Sequence, residues 1–259
     1  MAVLHCRSLF RPARQVYCRP WLFMKVDQVK KLHQKKYRSE LGYCLVEGEH
    51  LLLELEKTAI EGCELFVTES HADWPSRFRK TVIGERQMAQ ISDTKSPQGM
   101  VAIVPMAALR PQPASGERCL YLHEVQDPGN LGTILRTLAW FGGWRCLLSP
   151  GSVDPFNPKV IRSSMGAIFH VPMELDVELD SLSQRFSRIA TLDMQGAPLA
   201  AAGEQSHDCF VFGNEARGVP RDAMVAMNPA AYTIPGCGVI ESLNLASAVN
   251  MCVYELSRR

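Results

Sequence analysis

Residues 119–150 read CLYLHEVQDPGNLGTILRTLAWFGGWRCLLSP, in which an apolar strand, a helix and a second apolar strand follow one another. The alternation continues to the end of the chain, with further strands predicted in HVPMEL, RIATLDM and CFVFGNE and helices in VIRSSMGAIF, SLSQRFS and ESLNLASAVNMCVYELSRR. Strands that are apolar along nearly their whole length are typical of parallel sheets covered by helices on both faces. Residues 117–259 are therefore predicted to form an α/β domain built on such a sheet.

A smaller α/β domain is predicted over residues 24–106. The segments YCLV, CELFVTES and GMVAIVPM have the apolar character of strands, and an amphipathic helix begins at about His50. The segment SRFRKTVIGERQMAQIS is predicted as a helix or loop followed by a further helix. This alternation favours a small domain with its own core. Residues 107–116 are rich in proline, serine and glycine and are predicted to be a linker.

Composition excludes several classes of protein. The chain is 46% hydrophobic and 21% charged, as in ordinary globular proteins. It has no apolar run of the roughly 18 to 20 residues that cross a bilayer, so no membrane association is expected. Its nine cysteines include no CxxC pair, which favours a reducing compartment over a disulfide framework or a structural zinc site.

Positive charge is concentrated at the start of the chain. Residues 1–40 contain ten Lys or Arg and two acids, whereas the remaining residues contain 18 basic and 25 acidic side chains. This asymmetry favours a polyanionic partner, although a solvated tail has the same composition. Residues 1–23 are predicted to be a basic leader or arm. Bacterial cytoplasm is the predicted compartment, and the alternative is a mitochondrion, if these arginine-rich residues are a transit peptide.

Three segments rich in glycine and polar residues lie where predicted strands end or helices begin, which is where open α/β sheets bind ligands. They are DPGNLGTILR (127–136), FVFGNEARGVP (210–220) and IPGCGVIESLNLAS (234–247). In the first, Asn130 is predicted to cap the helix that carries Arg136. In the second, Gly213 allows close approach of a ligand because it has no Cβ. In the third, Ser242 and Asn244 lie near free N–H groups at the start of the last helix.

The sequence lacks the patterns of several other sites. It has no GxxxxGK[ST] loop, no GxGxxG after a strand and no GxSxG turn, and its seven histidines show no metal-ligand spacing. We therefore predict a metal-free site of glycines, amides, one arginine, one glutamate and one serine. Such a set suits a small polar cofactor but does not identify the reaction.

The three segments, in this order, resemble the signature motifs of the SpoU (TrmH-type) RNA methyltransferases of the SPOUT superfamily. The resemblance is carried by DPGNLGTILRT, VFGNEARGV and IPGCGVIESLNLASAVNMCVYEL. The earlier LVEGEHLLLEL resembles the ribosomal-protein-like substrate-binding domain often fused ahead of this catalytic domain. The resemblance implies an S-adenosyl-L-methionine-dependent RNA 2′-O-methyltransferase, a deep trefoil knot at the C-terminal end of the sheet, and a homodimer with its sites at the interface.

The resemblance also implies roles for individual residues. The backbone that holds S-adenosyl-L-methionine is expected around Thr191, Leu192, Gly213, Ile234 and Leu243. Arg136 resembles the catalytic arginine and is expected to serve the site of the neighbouring protomer. Asn130, Glu215, Ser242 and Asn244 match positions that orient the arginine, the ribose or the cofactor loops.

The expected reaction is an in-line transfer in which the ribose 2′-hydroxyl loses its proton as it attacks the methyl carbon. A guanidinium ordinarily has a pKa above about 12, so Arg136 acts as a base only in an unusual environment. Otherwise it organises the RNA while another group takes the proton. One position departs from the motif: Ala216 stands where glycine usually follows the glutamate, and it would be strained at positive φ.

The ribosomal-protein-like domain favours ribosomal RNA as the substrate. The alternative within the family is methylation of tRNA ribose. An alternative from another class is a non-catalytic RNA-binding or ribosome-assembly protein that retains the fold.

Overall fold

The structure, a computed structural model, describes residues 24–111, 113–240 and 242–258. The predicted basic leader, residues 1–23, lies outside the described residues. The helices are α1 (Val26–Lys31), α2 (Lys35–Leu41), α3 (Glu49–Glu56), α4 (Glu85–Ile91), α5 (Pro128–Phe141), α6 (Pro158–Ser164), α7 (Leu182–Arg185), α8 (Arg221–Met227) and α9 (Leu245–Ser257). The strands are β1 (Tyr43–Glu47), β2 (Glu64–Val67), β3 (Arg79–Val82), β4 (Met100–Pro105), β5 (Arg118–Leu122), β6 (Trp144–Leu148), β7 (Met173–Glu174), β8 (Ile189–Pro198), β9 (Cys209–Phe212) and β10 (Ala230–Thr233).

The N-terminal domain is built on a four-stranded sheet in the order β1-β4-β2-β3. Strand β4 is antiparallel to both of its neighbours, and β3 is parallel to β2. The prediction of a helix or loop at 79–82 was wrong, because this segment is the edge strand β3. Its side chains are exposed or half-buried, so it lacks the apolar run by which the other strands were recognised.

The C-terminal domain has the predicted parallel sheet, with six strands in the order β10-β8-β9-β5-β6-β7. Alternate residues of β5 face opposite layers, as the strand period requires. Leu120 and Leu122 belong to the core that contains residues of α5, α6 and α9, whereas Cys119 and Tyr121 pack with α7 and α8 residues. Both faces are therefore covered by helices. The path of the chain through a knot stays a prediction.

The two domains are not packed independently. One face of the N-terminal sheet has a separate core, to which Leu45, Phe66 and the helices α1 and α4 contribute. The other face, which includes Val46 and Leu65, joins the same apolar core as the α5 layer of the C-terminal domain. The N-terminal domain thus has a core of its own on one face of its sheet, as predicted, and shares the core on the other face with the C-terminal domain. The shared core fixes the domains against each other because separating them would expose apolar surface.

Several helices and strands begin or end at other residues than predicted. The predicted linker at 107–116 begins inside a 3₁₀ turn, Met106–Leu109, whose Leu109 is buried. The helix predicted at 160–169 ends at Ser164, because Met165 and Gly166 both adopt positive φ. Strand β10 and helix α8 were not predicted. The strand predicted as HVPMEL is confined to β7, Met173–Glu174.

Within the described residues, no helix is long and apolar enough to cross a membrane. The seven cysteines that the structure describes are free thiols, and all but Cys237 are buried. Burial raises the pKa of the Cys146 thiol to about 12, so it stays protonated at neutral pH.

Candidate active site

The three motif segments meet at one edge of the C-terminal sheet. The first follows the carboxyl end of β5, the second follows β9 and the third follows β10. These strands are parallel, so their carboxyl ends open onto the same side. The last segment returns to that edge because α9, which it precedes, packs alongside α5.

Asp127 begins α5 and is its N-cap. Its Oδ1 accepts a hydrogen bond of 2.8 Å from the backbone N–H of Asn130, and Pro128 occupies the first helical position. The prediction that Asn130 caps this helix was therefore wrong. Because Asp127 is the residue that caps the helix, the side chain of Asn130 is available for contacts outside the helix.

The carboxylate of Glu215 binds the segment that begins α5. It accepts hydrogen bonds from the N–H of Gln126 (3.2 Å), the N–H of Asp127 (3.2 Å) and Nδ2 of Asn130 (3.1 Å). Partial burial acts to raise the pKa of Glu215, but these hydrogen bonds, together with one from its own N–H, outweigh it and leave the pKa below its ordinary value. The carboxylate is therefore ionised at neutral pH and its acceptor positions are occupied.

Asn130 connects all three segments. While its Nδ2 donates to Glu215, its Oδ1 accepts a hydrogen bond of 2.9 Å from Nδ2 of Asn244. Asn244 is in turn the N-cap of α9, since its Oδ1 accepts from the N–H of Ser247 (3.2 Å). Glu215, Asn130 and Asn244 thus form one hydrogen-bonded chain, the three-motif chain. Ser242 lies two residues before Asn244 and is exposed.

The loop after β9 is held by its own asparagine. Asn214 is buried, its Nδ2 donates to the carbonyl of Glu124 (2.7 Å), and its Oδ1 accepts from the N–H groups of Ala216 and Arg217. Backbone hydrogen bonds between Asn214 and Gly218 close the loop.

Gly213 is required by this loop closure. A Cβ on Gly213 would lie 2.2 Å from the carbonyl carbon of Gly218, so closure of the loop requires glycine here, and close approach of a ligand stays a prediction. The positive φ of the loop falls on Gly218, at 67°, and Ala216 is outside that region. The expected strain at Ala216 is therefore absent, because the turn needs its glycine two residues later.

Arg136 does not join the three-motif chain of its own subunit. It lies six residues after Asn130 on α5, which places it about 9 Å further along the helix and about 120° around it. The side chain is exposed, and within the described residues its guanidinium has no hydrogen-bond or ion-pair partner. Arg136 is thus directed to a surface that the single chain leaves uncovered.

The residues expected to hold the cofactor line the same edge of the sheet. Thr191 ends the regular pairing of β8 with β10, since Ala231 pairs with Thr191 while the next residue, Tyr232, pairs with Ala197. The intervening residues 192–196, which include Leu192, therefore project from the sheet. The Thr191 side chain itself is buried and donates to the carbonyl of Val211 (3.0 Å), so only its backbone is available.

The segment after β10 offers an apolar surface. Ile234 is half-buried, and Val239, Ile240 and Leu243 are 83%, 68% and 43% exposed. Exposed apolar side chains clustered in a loop mark a binding surface. Together with backbone polar groups at the strand ends, they fit a flat nucleoside such as the adenosine of S-adenosyl-L-methionine, whose face is apolar and whose edge is polar.

Four residues that organise the site were not assigned to it from the sequence. Asp127 and Asn214 hold the first two segments, and the backbone of Gln126 binds Glu215. Arg217 donates to Glu124 at 2.5 Å across the same edge. Asp127 could have been found, because an acid immediately before proline is a common helix start. The other contacts join residues far apart in sequence, for which the chain has no local signal.

Comparison with known proteins decides the family. The sequence model of the SpoU rRNA Methylase family matches residues 117–254, and that of the MRM3-like substrate binding domain matches residues 24–102. The chain belongs to the SpoU rRNA methylase family. It is 32% identical over 239 residues to the 23S rRNA (guanosine(2553)-2′-O)-methyltransferase RlmP of Bacillus subtilis, which covers 90% of this chain and 95% of that relative.

Solved structures agree with this assignment. A TrmH-family protein from Porphyromonas gingivalis is 30% identical, with a TM-score of 0.77 over 89% of this chain and 96% of the other. An AdoMet-bound rRNA methyltransferase from Sinorhizobium meliloti is 28% identical, with a TM-score of 0.74 over 90% and 94% of the two chains.

A further relative is similar in sequence over part of the chain. The mitochondrial rRNA methyltransferase 3 of Xenopus laevis is 34% identical over 162 residues, which are 56% of this chain and 38% of that relative.

Proposed function

We propose that this protein transfers a methyl group from S-adenosyl-L-methionine to a ribose 2′-hydroxyl of ribosomal RNA. The observation that carries the proposal is the three-motif chain, because it joins Glu215, Asn130 and Asn244 into one site at the carboxyl edge of a parallel sheet. The names of RlmP and of the AdoMet-bound structure support the substrate and the cofactor. The bacterial relative matches 90% of this chain and the mitochondrial one 56%. Bacterial cytoplasm therefore stays our prediction for the compartment, with a mitochondrion as the alternative.

The backbone around Thr191, Leu192, Gly213, Ile234 and Leu243 would hold the cofactor. When bound, S-adenosyl-L-methionine supplies an electrophilic methyl group on a sulfonium. Glu215 and Asn130 do not act on that group directly in this proposal. They hold the loops after β5 and β9 at a fixed separation, and such positioning accounts for much of the acceleration of a transfer between two bound reactants.

We further propose a homodimer in which Arg136 serves the partner's site. Trp140, one turn beyond Arg136 on α5, is 84% exposed, and Met251 and Tyr254 on α9 are 45% and 53% exposed. Phe141 contacts Tyr254 edge-on, with ring centroids 6.2 Å apart, so the two helices present one apolar face. A face of this kind on adjacent helices is typical of a subunit interface.

In the proposed mechanism, Arg136 binds the RNA phosphate and the reacting hydroxyl. Glu215 is unsuited to remove the hydroxyl proton, because its lowered pKa makes it a weak base and its oxygens already accept hydrogen bonds. The Arg136 guanidinium has no partner within the described chain and is exposed, and its planar donors match a phosphate in two-point contact.

The test is methyl transfer from radiolabelled S-adenosyl-L-methionine to unmodified ribosomal RNA. We expect Arg136→Ala to reduce transfer by at least a hundredfold, the scale of removing one positioned charged donor, while calorimetry shows nearly unchanged cofactor affinity. Transfer to tRNA instead would establish the alternative substrate. Absence of cofactor binding by the intact protein would leave the non-catalytic alternative.

The dimer is tested separately. Trp140→Arg places a charge in the proposed interface, and we expect light scattering to show a monomer. The matched control is Val225→Arg, because Val225 on α8 is also 80% exposed but lies outside the α5–α9 face. If Trp140→Arg remained a dimer, or if the wild-type protein were a monomer, this interface would be wrong.

A further inference from the structure

The first two helices present a basic surface. Val29 and Leu32 are buried against the N-terminal core, whereas the ammonium-bearing side chains of both helices are exposed. These are Lys25, Lys30, Lys31, Lys35 and Lys36. Over residues 25–41, which we call the basic helix pair, the acids are Asp27 and Glu40. The sequence periodicity therefore turns apolar residues inward and leaves positive charge outside.

The charge of the basic helix pair is not neutralised by the rest of the described chain. Elsewhere, some exposed arginines are matched with acids, such as Arg188 with Asp208 at 2.7 Å and Arg217 with Glu124 at 2.5 Å. Among the residues that the structure describes, none of the five lysines has an ion-pair partner. Unpaired cations clustered on one surface attract a polyanion.

Tyr37 adds an aromatic ring between these charges. The ammonium groups of Lys31 and Lys36 lie 5.5 and 5.7 Å from its ring centroid, and the side chain is half-buried. An aromatic ring flanked by cations suits a single-stranded nucleic acid, because a base stacks on the ring while the cations contact adjacent phosphates. A membrane surface is less suited, because the apolar residues Val29 and Leu32 are turned into the core.

A buried ion pair holds the basic helix pair next to the catalytic edge. Arg38 of α2 is 3% exposed, its Nε donates to Oδ2 of Asp154 (3.0 Å), and its Nη1 donates to the carbonyls of Leu32 (2.8 Å) and His33 (2.9 Å). Asp154 lies in the loop that follows β6 at the carboxyl edge of the C-terminal sheet. The last residues of the basic helix pair are thus bonded directly to that edge.

The same loop is hydrogen-bonded to the active site. The N–H of Val153 donates to the carbonyl of Val125 (2.8 Å), and Nε2 of Gln126 donates to the carbonyl of Gly151 (2.8 Å). The N–H of Gln126 donates to Glu215, a member of the three-motif chain. A continuous set of contacts therefore runs from Arg38 to the site, so the basic helix pair has a fixed position relative to it.

We propose that the basic helix pair binds the phosphate backbone of the substrate RNA, with Tyr37 stacked on an unpaired base, and directs the strand to the catalytic edge. This inference rests on the proposed function, because it assigns the RNA contact of that enzyme to a particular surface. Arg38 is a positioning residue here, since its guanidinium is used within the protein. The lysines are the groups that contact RNA.

The test measures binding of a fluorescein-labelled, single-stranded RNA of about 20 nucleotides by anisotropy over a range of salt concentrations. Each phosphate contact that is lost makes the negative slope of log K against log[salt] shallower by about 0.7 for single strands. Lys30→Gln/Lys36→Gln should therefore make the slope shallower by about 1.4 and weaken RNA binding about 25-fold at 0.1 M salt. The charge-matched control is Lys57→Gln/Arg188→Gln, at two exposed sites outside the basic helix pair. The control should bind like wild type.

Tyr37 provides an independent test of the proposal. Tyr37→Leu should weaken binding about fivefold or more without changing the salt slope, and Tyr37→Phe should restore it, because stacking needs the ring and not the hydroxyl. Unchanged affinity and slope in the lysine variant, or an equal loss in the control, would overturn the proposal. Failure of the wild-type protein to bind this RNA, with binding instead to anionic vesicles or an acidic peptide, would also overturn it. Lysine-dependent RNA binding without methyl transfer would contradict the proposed function alone.

Discussion

At the scale of single residues, the site depends on the chemistry of one amide. Asn130 donates to a carboxylate and accepts from another amide at the same time. Asparagine can do both because its side chain has a donor and an acceptor group, whereas aspartate at neutral pH only accepts. The residue was identified from the motif, but its two partners come from segments 85 and 114 residues away.

Asn130→Asp should therefore disrupt the three-motif chain with a side chain of nearly the same size. It removes the donor to Glu215 and places two carboxylates side by side, so we expect a loss of about 1–3 kcal/mol in the free energy of unfolding and a marked loss of methyl transfer. Urea unfolding and a transfer assay measure both. Gln90→Ala, an exposed amide on α4, is the control. Near-normal activity of Asn130→Asp would remove the three-motif chain from the mechanism.

Glu215 predicts a pH dependence of stability. Its pKa in the folded protein lies below the ordinary value of about 4.3, so the ionised carboxylate stabilises the fold above that pH and the contribution is lost as the pH falls through the lowered value. Compared with wild type, Glu215→Gln should be less stable at pH 7 by about 1 kcal/mol or less, because the group is exposed and screened. The difference should be smaller at about pH 3, because fewer of the Glu215 carboxylates are ionised there.

Urea unfolding of both proteins at the two pH values checks this. Glu61→Gln, at an exposed carboxylate in the N-terminal domain, controls for the general effect of removing a negative charge. A difference in the free energy of unfolding that increased towards low pH would mean that the hydrogen bonds do not favour the ionised form of Glu215.

At the scale of elements, the decisive features are the ends of parallel strands. Each strand delivers a loop to the same edge, and the loop after β9 is compact because it folds back on Gly213. Sequence patterns identified the buried strands but missed β3 and β10. An edge strand such as β3, with exposed side chains, has no apolar run to mark it.

Gly213→Ala should damage this loop. The added Cβ would lie 2.2 Å from the backbone of Gly218. Neither side of the loop can move away without breaking the Asn214–Gly218 pairing, so we expect at least a tenfold loss of cofactor affinity. Gly84→Ala, in the N-terminal domain, is the matched control, since its Cβ would come no closer than 3.9 Å to another atom. Calorimetry with S-adenosyl-L-methionine compares them. Equal affinities would show that cofactor binding tolerates movement of the β9 loop.

At the scale of the whole molecule, the relation between the domains is set by a shared apolar core and a buried ion pair. Arg38 and Asp154 are 116 residues apart, and no local pattern in the sequence marks either of them. A second contact, Arg162 with Asp93 at 2.6 Å, joins the same two domains at the surface. The substrate-binding domain is thereby held in one orientation towards the catalytic edge.

Arg38→Met should destabilise the protein by about 3–5 kcal/mol, because it leaves the carboxylate of Asp154 buried without its partner. The double variant Arg38→Met/Asp154→Leu should recover most of that loss, since no uncompensated charge remains. Urea unfolding of the single and double variants forms the cycle that measures the coupling. In the transfer assay, we expect Arg38→Met to raise KM for RNA more than it lowers kcat. A single variant as stable as wild type would contradict the prediction.

The amino-acid sequence by itself determined the α/β class, the parallel sheet, the two-domain order and the three segments that form the site. These follow from apolar periodicity, turn residues and motif order, all of which are local properties of the chain. Only the tertiary structure decided that Asn130 bridges Glu215 and Asn244, that Gly213 serves loop closure, that Arg136 turns away from its own site, and that Arg38 fixes the substrate-binding domain. The physical reason is that hydrogen bonds and ion pairs between distant segments depend on how strands and helices pack, and packing joins residues that no local pattern connects.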